Sequence, residues 1–319
     1  MRLNRRQFLE LSALILAGMA TRASAKATAS GSVGKAEQLV GNFRYIYADK
    51  TRREEFLPFL QNVFHLYPEQ QLQALIHQAV QEFGSDKQVY GFLQQQLDEI
   101  RPLLADLRYA LPALQKQKQV MAEQTRSLLP DKRFEGYLEI GSSGRYIDSL
   151  EEVLDIQGQR LFISERAPSY SLADMLDRGQ VTQAGDWLAL NDYTPALDQI
   201  ADQSLELITV YIGFHHCPVD LREQFIGGLR DKLKPGGCLI LRDHDVHNRH
   251  MWHVVALAHD VFNMGTMESW QYNADERRHF YALSELQQFM QQFGFKQQGQ
   301  MLRQPGDPTL NTLMLYQRA

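Results

Sequence analysis

Tyr137-Leu138-Glu139-Ile140-Gly141-Ser142-Ser143-Gly144 joins an apolar run to a set of small residues. A buried strand that ends this way before a helix lets backbone N–H groups approach a ligand with no Cβ in the way. Two later carboxylates have the spacing to complete such a site. Glu165 follows a second apolar run, where it can accept hydrogen bonds from both hydroxyls of a ribose. Gly185-Asp186-Trp187 follows a third, where Asp186 can meet an adenine amino group while Trp187 covers the ring. A further group is rich in histidine: Gly213-Phe214-His215-His216-Cys217-Pro218, then Arg242-Asp243-His244-Asp245, then His247, His250, His253 and His259.

The elements that must position these residues begin at Pro130-Asp131. From there short apolar runs alternate with helical stretches, the sign of a mostly parallel sheet. Strands are expected at Gly136–Ile140, Arg160–Ser164, Gln180–Ala184, Leu205–Tyr211 and Cys238–Arg242. Helices are expected at Tyr146–Leu154, Tyr170–Asp177, Leu221–Leu233 and about His250 to Phe262. Ser284-Glu285-Leu286-Gln287 has the form of a capping box opening one more helix, closed by Gly294. Two last strands near Phe295–Leu302 and Asn311–Gln317, joined through Pro305-Gly306-Asp307-Pro308, form an antiparallel pair. In open α/β sheets ligands sit beyond the carboxyl ends of the strands. The glycine turn, Glu165 and the histidine-rich segments all fall there.

The choice of cofactor follows from the turn. A dinucleotide brings a pyrophosphate and calls for a fuller G-x-G-x-x-G run, whereas only Gly141 and Gly144 are present here. S-adenosylmethionine (SAM) has no phosphate, carries a cationic sulfonium, and tolerates a looser loop beside an acidic residue such as Glu139. The segments Leu138–Gly144, Leu161–Glu165, Gly185–Trp187, Leu205–Tyr211, Leu233–Leu241 and Phe295–Gln317 resemble the class I SAM-dependent methyltransferases. The resemblance runs from about Phe134 to the C-terminus. It implies a Rossmann-like, mostly parallel seven-stranded sheet with an antiparallel last strand, preceded here by an α-helical N-terminal region. It also implies that Glu139, Gly141 and Gly144 line the methionine part of SAM, with Ser142 in the same turn. Glu165 would hold the ribose, and Asp186 and Trp187 the adenine. Ser143 departs from the pattern, standing where many members have a second glycine.

On this reading the histidine-rich rim faces a methyl acceptor. Methyl transfer is an in-line displacement, so the rim would align the acceptor and remove a proton. His216 or His244, paired with Asp243 or Asp245, suits that work. A second reading is a divalent metal, for which His250 and His253 lie one helical turn apart, although no recognised metal-binding spacing occurs. A third makes several of these histidines capping or core residues, and it is favoured for His247, His253 and His279. The segment from Asn263 to Phe280, with Trp270, Tyr272, Glu268, Glu276, Arg277 and Arg278, is expected to cover the acceptor pocket.

Upstream, residues 53–130 have a helical pattern. Leu72, Leu75, Ile76, Ala79, Val80 and Phe83 share one face, and Val89, Leu93, Leu97, Ile100 and Leu104 continue the periodicity. Residues 26–52 read as a linker, with Lys26–Lys35 rich in Ala, Ser and Gly. The first 25 residues resemble a twin-arginine export signal: Arg5-Arg6 before Phe8-Leu9, an apolar run Leu11–Ala20, and the small-x-small site Ala23-Ser24-Ala25. The organisation expected is therefore a signal at 1–25, a linker at 26–52, a helical region at 53–130 and a methyltransferase domain at 131–319.

The 319 residues are 44% apolar and 22% charged, and they carry a formal net charge of −5. That balance, with no basic stripe interleaved with aromatics, argues against nucleic acid and for a small-molecule acceptor. Cys217 and Cys238 imply no disulfide framework. The signal predicts passage through the twin-arginine export machinery to the periplasm, or tethering to the inner membrane; unused, it leaves the protein cytoplasmic. Export conflicts with a cofactor made in the cytoplasm. Two alternatives therefore stand beside the enzyme: an exported, non-catalytic nucleoside- or SAM-binding protein, and a metal-dependent hydrolase using the His/Asp cluster.

Overall fold

The computed structural model describes residues 41–100, 111–169 and 184–319. The export signal, Lys26–Lys35, the helix expected at Tyr170–Asp177 and residues 180–183 lie outside them.

Seven strands form one sheet: β1 (Arg133–Ile140), β2 (Asp155–Ser164), β3 (Asp186–Ala189), β4 (Leu205–Val210), β5 (Leu233–His244), β6 (Phe295–Arg303) and β7 (Asn311–Arg318). Their order is β3-β2-β1-β4-β5-β7-β6. β1 to β5 pair in parallel, and β7 runs antiparallel to both neighbours. This is the Rossmann-like sheet with an antiparallel last strand. Its order reverses beside β1, so the ends of β1 and β4 border the crevice where such sheets bind ligands.

The third strand departs from expectation. Asp186–Ala189 pairs with β2, with Asp186 opposite Leu161 and Ala189 opposite Ser164, whereas the strand expected at Gln180–Ala184 falls almost wholly outside the described residues. The strand stops where Asn191, Asp192 and Tyr193 turn left-handed, with φ of 48°, 54° and 67°. Asn and Asp enter that region readily; Tyr does so at a cost.

The helices are α1 (Asn42–Tyr47), α2 (Lys50–Phe59), α3 (Glu69–Glu82), α4 (Asp86–Ile100), α5 (Leu111–Leu128), α6 (Ile147–Glu151), α7 (Arg222–Lys232), α8 (Arg249–Gly265), α9 (Trp270–Asp275) and α10 (Leu283–Gln292). Residues 41–52 are thus helical rather than linker. Phe43, Ile46 and Tyr47 are wholly buried, which a solvated linker could not be. α10 begins one residue before the expected capping box: Ala282 precedes it, and its N–H donates to Glu285 (3.2 Å).

Three cores organise these elements. One face of the sheet packs on α7 and α10. The other packs on α6 and on α5, whose Thr125 hydroxyl bonds Tyr211 (2.8 Å). The third joins α1 to α4 with α8, the helix that follows β5. So the division at residue 130 does not match the packing. α5 belongs to the sheet, and α8 from the sheet region is the centre of the helical group. The reason lies in α8 itself, which is buried continuously from His253 to Gly265 and therefore needs helices on several sides. Among the described residues no helix is long and apolar enough to cross a membrane.

Polar contacts fix α1 on α8. The Asn42 amide donates to Asp260 (2.8 Å), and its oxygen meets His253 Nδ1 (3.0 Å), whose ring stacks on Tyr45 at 3.9 Å. Burial, then Arg249 and His250, lower the His253 pKa from 6.5 to about 4. The unfolded imidazole binds a proton that the folded one refuses. His253 therefore supports the fold fully above pH 6.5, and that support is lost as pH falls from 6.5 toward 4. The expected slope for one proton is up to about 1.4 kcal/mol per pH unit. Urea unfolding between pH 7 and 4.5 should show His253→Gln with a shallower loss than the wild type; identical slopes would place the titration elsewhere.

Candidate functional site

The turn after β1 depends on its glycines. Gly141 and Gly144 have φ of 94° and 92°, in the region L side chains avoid. A Cβ at Gly141 would meet Ile212 at 2.9 Å, and one at Gly144 would meet the Phe162 ring at 3.0 Å. Glu139 does not face outward, as a methionine-binding carboxylate would. It is fully buried and accepts from the Tyr137 hydroxyl (2.9 Å), the Ser142 hydroxyl and the Tyr146 N–H (3.3 Å). Burial raises its pKa while these hydrogen bonds pull the other way. Ser142, also buried, accepts the Arg145 N–H (3.1 Å). Both side chains are committed to holding the turn, and the Gly141 N–H donates to Ile163 O (2.8 Å).

Glu165 lies just past β2, at the carboxyl edge. Its Oε1 is buried and has no hydrogen-bond partner, while the carboxylate accepts the Asp192 N–H. Burial again raises the pKa. Asp186, expected beside it, is exposed at the opposite end of β3 because the strand begins there rather than ending there. Trp187 is inside β3, its indole N–H bound to the Ser164 hydroxyl (2.9 Å). The acidic residue at the carboxyl end of β3 is Asp192, which the sequence reading missed. Its carboxylate is gripped by both terminal nitrogens of Arg277 (Nη2 at 3.0 Å). Asn191-Asp192 after Trp187-Leu188-Ala189-Leu190 was the signal available.

The histidine rim is tighter than the sequence suggests. His215 and His216 form a single 3-10 turn with Phe214 after β4. Gly213 makes room for it, since a Cβ there would lie 2.1 Å from the His215 ring. Asp243, near the end of β5, pairs with His215 Nδ1 (2.5 Å), not with His216 or the His244 ring. It also accepts the N–H groups of His215 (3.0 Å) and His244 (2.8 Å) and the Tyr281 hydroxyl. The His244 ring meets Thr309 O instead (3.1 Å). Asp245 points away, accepting Leu283 N–H (3.2 Å) near His247 and Arg303. His250 and His253 do not come together as ligands: His250 pairs with Glu55 (3.2 Å) and His253 with Asn42.

His259 reaches the rim from α8. Its Nδ1 meets Glu276 (3.2 Å), and His216 Nδ1 meets Arg277 O (2.8 Å). His215, His216 and His259 are 2%, 5% and 5% exposed, and the Nε2 of each is buried without a partner. A ring nitrogen of each lies within 4.8 Å of one from each of the others. Burial lowers the pKa of His215 and His244 to about 3 and of His259 to about 4, so these imidazoles are neutral at pH 7. An Nδ1–H donating outward leaves Nε2 as a lone-pair acceptor or a metal ligand. Burial pushes Glu276 up, but Arg278 and then His259 outweigh it and hold its carboxyl well below the ordinary value. Arg278 bonds Asp260 (2.7 Å) as well as Glu276 (2.8 Å). Phe280 packs over His215 and His259 at 5.0 and 5.5 Å between ring centres. Within the expected cover Asn263–Phe280, Asn263–Gly265 end α8 and Trp270–Asp275 form α9, while Phe280 lies against the rim histidines and Arg277 and Arg278 fasten the segment 276–280.

Two small cavities border the rim, each with room for about one water molecule. Tyr211, Gly213, His215 and Asp243 line one, Phe59, His259 and Asp307 the other, and His244 and Asn311 line both.

No family model and no curated protein matches the chain. Among solved structures, a possible exported protein from Bordetella parapertussis has a TM-score of 0.46 at 14% identity, over 90% of this chain and 99% of its own. A Burkholderia thailandensis 1,6-didemethyltoxoflavin-N1-methyltransferase with bound 1,6-didemethyltoxoflavin and S-adenosylhomocysteine scores 0.44 at 11% identity, over 74% of this chain and 92% of its own. A SAM-dependent methyltransferase from Aquifex aeolicus scores 0.41 at 13% identity, over 66% of this chain and 98% of its own.

Removing the Arg278 guanidinium would leave Asp260 and Glu276 buried without their cation. Arg278→Ala is expected to cost roughly 3–5 kcal/mol in urea unfolding at pH 7. A loss under about 1 kcal/mol would show that the cover is held by its apolar contacts instead.

Proposed function

We propose that the chain is a SAM-dependent methyltransferase acting on a small-molecule acceptor. The observation that carries this reading is the buried, unpartnered Oε1 of Glu165 at the carboxyl end of β2, beside the glycine turn. A ribose hydroxyl is a neutral donor of the size and polarity that such an oxygen lacks. A carboxylate there accepts two such bonds without needing a counter-charge. The strand order, with β7 reversed, agrees with the reading.

When bound, SAM supplies an activated methyl group on a sulfonium. The chain's own residues bind and orient. The turn 141–144 faces the methionine part, with the Gly141 N–H held by Ile163 O (2.8 Å) and so not among its donors. Glu165 takes the ribose. Asp192, rather than Asp186, is the acidic group placed for the adenine amine, and Arg277 must share it. On the acceptor side, Asp243 orients His215 through Nδ1. The imidazole of His244, neutral at pH 7 and bordering both water-sized cavities, would take a hydrogen bond from the acceptor. Phe280 and the 276–278 fastening exclude bulk water. The formal charge of −5 supports a small acceptor over a nucleic acid. The twin-arginine segment supports export or a membrane tether, and a tether with the enzyme on the cytoplasmic side keeps it supplied with SAM.

Isothermal titration of the purified chain with SAM and with S-adenosylhomocysteine tests the reading. Saturable binding of both is expected, and Glu165→Ala should weaken it at least tenfold, about 1.4 kcal/mol. No binding at millimolar ligand overturns the proposal, and an unchanged affinity in the variant moves the ribose elsewhere. Cell fractionation with Arg5 and Arg6 changed to Lys tests the location: loss of the exported or membrane-bound fraction is expected.

A further inference from the structure

We infer that His215, His216 and His259 form a site for a divalent transition ion of the Zn²⁺ kind, with a fourth coordination position left open. The three imidazoles arrive from two elements, the 3-10 turn after β4 and helix α8, with ring nitrogens mutually within 4.8 Å. Each uses Nδ1 outward: His215 to the Asp243 carboxylate, His259 to the Glu276 carboxylate and His216 to the Arg277 carbonyl. Metal-ligating histidines characteristically hold their second nitrogen this way, which fixes the tautomer and aims the other nitrogen at the ion. Each remaining Nε2 is buried and without a partner. Burying three unpaired polar atoms side by side is costly, because each forfeits its hydrogen bonds to water. One ion bound by all three removes that cost together.

The charge balance points the same way. Asp243, Asp260 and Glu276 are all buried, and they hydrogen-bond to the histidines or to one another's partners. Arg278 is the cation bonded to Asp260 and Glu276, whereas Asp243 is held by hydrogen bonds from His215, His244 and Tyr281. A divalent ion at the three imidazoles would lie beside that buried carboxylate. Imidazole donors favour Zn²⁺ and its neighbours over Mg²⁺ or Ca²⁺, which prefer oxygen. Three protein ligands, rather than four, are the pattern of catalytic sites that keep a water or substrate in the last position. Water-sized cavities border His215 on one side and His259 on the other, and the unpartnered Asn311 Oδ1 and Asp307 Oδ2 belong to residues lining the latter. On the methyltransferase reading, the fourth position is available to a hydroxyl or thiol of the acceptor. The metal site itself does not rest on that reading.

The test uses the full chain, isolated without chelator from cells grown with added zinc, and the same chain unfolded in chelator and refolded with Co²⁺. About one zinc per chain is expected by elemental analysis. The refolded protein should show the visible ligand-field absorption of four-coordinate Co²⁺. X-ray absorption should find about three imidazole nitrogens at roughly 2.0–2.1 Å. His216→Gln and His259→Gln should each lower affinity at least a hundredfold. Glu276→Gln, which acts through His259, should lower it about 10- to 100-fold while keeping the spectrum. His253→Gln, on α8 but outside the site, should bind as the wild type does. Less than a tenth of an ion per chain in both preparations overturns the proposal. So does an absorption edge without imidazole scatterers, which remains decisive if the histidine variants fail to fold. SAM binding without metal would overturn this inference alone; metal without SAM binding would overturn only the methyltransferase reading.

Discussion

The structure turns on the burial of charge beneath the carboxyl edge of the sheet. Glu276 is sealed in the interior, where an ionised carboxylate survives only with strong partners. Its partners are His259 from α8, Arg278 from its own segment and the Asn263 amide (3.3 Å). Arg278 passes the connection to Asp260, and Asp260 passes it to Asn42 of α1. One polar chain thus runs from the helical N-terminus to the histidines above β4. Loss of Arg278 would leave two carboxylates inside without their cation, so cover, helix and rim hold one another in place.

That constraint explains why the N-terminal helices are not an appendage. α8 is buried along nearly its whole length, and it carries His253 and Asp260 on the side that meets Asn42 of α1 and His259 on the side that meets the rim. The N-terminal helices supply the apolar surface on one side, through Phe43, Phe59 and Phe64, while the sheet's rim takes His259 on the other. The helical group therefore fixes where α8 sits, and with it the place of His259 beside His215 and His216.

The sheet was legible from the sequence almost strand by strand, because burial of a parallel strand writes a continuous apolar run into the chain. β1, β2, β4, β5 and β7 carry that mark over part of their length, whereas the edge strand β6 is mostly polar. The third strand of the described residues starts at Asp186, where pairing with β2 begins, and a register set by a distant strand is not written locally. That pairing puts Asp186 at the far end of β3 and Asp192 just past its carboxyl end. Glu139 misled for a different reason. Its position after β1 is that of a ligand-facing acid, but Ser142 and Tyr146 fold back onto it and use its oxygens.

Periodicity, turn residues and small-residue spacing are local properties, and they determined the α/β class, the edge where ligands gather and the nomination of a histidine-rich rim. They did not determine which histidines meet. Asp243 chooses His215 across 28 residues, Glu276 chooses His259 across 17, and the Arg277 carbonyl chooses His216 across 61. These pairings depend on how α8 and the cover segment dock over the ends of β4 and β5. Only the tertiary structure decides that, because the energy of a buried imidazole–carboxylate pair exists only once distant segments have together excluded water from it.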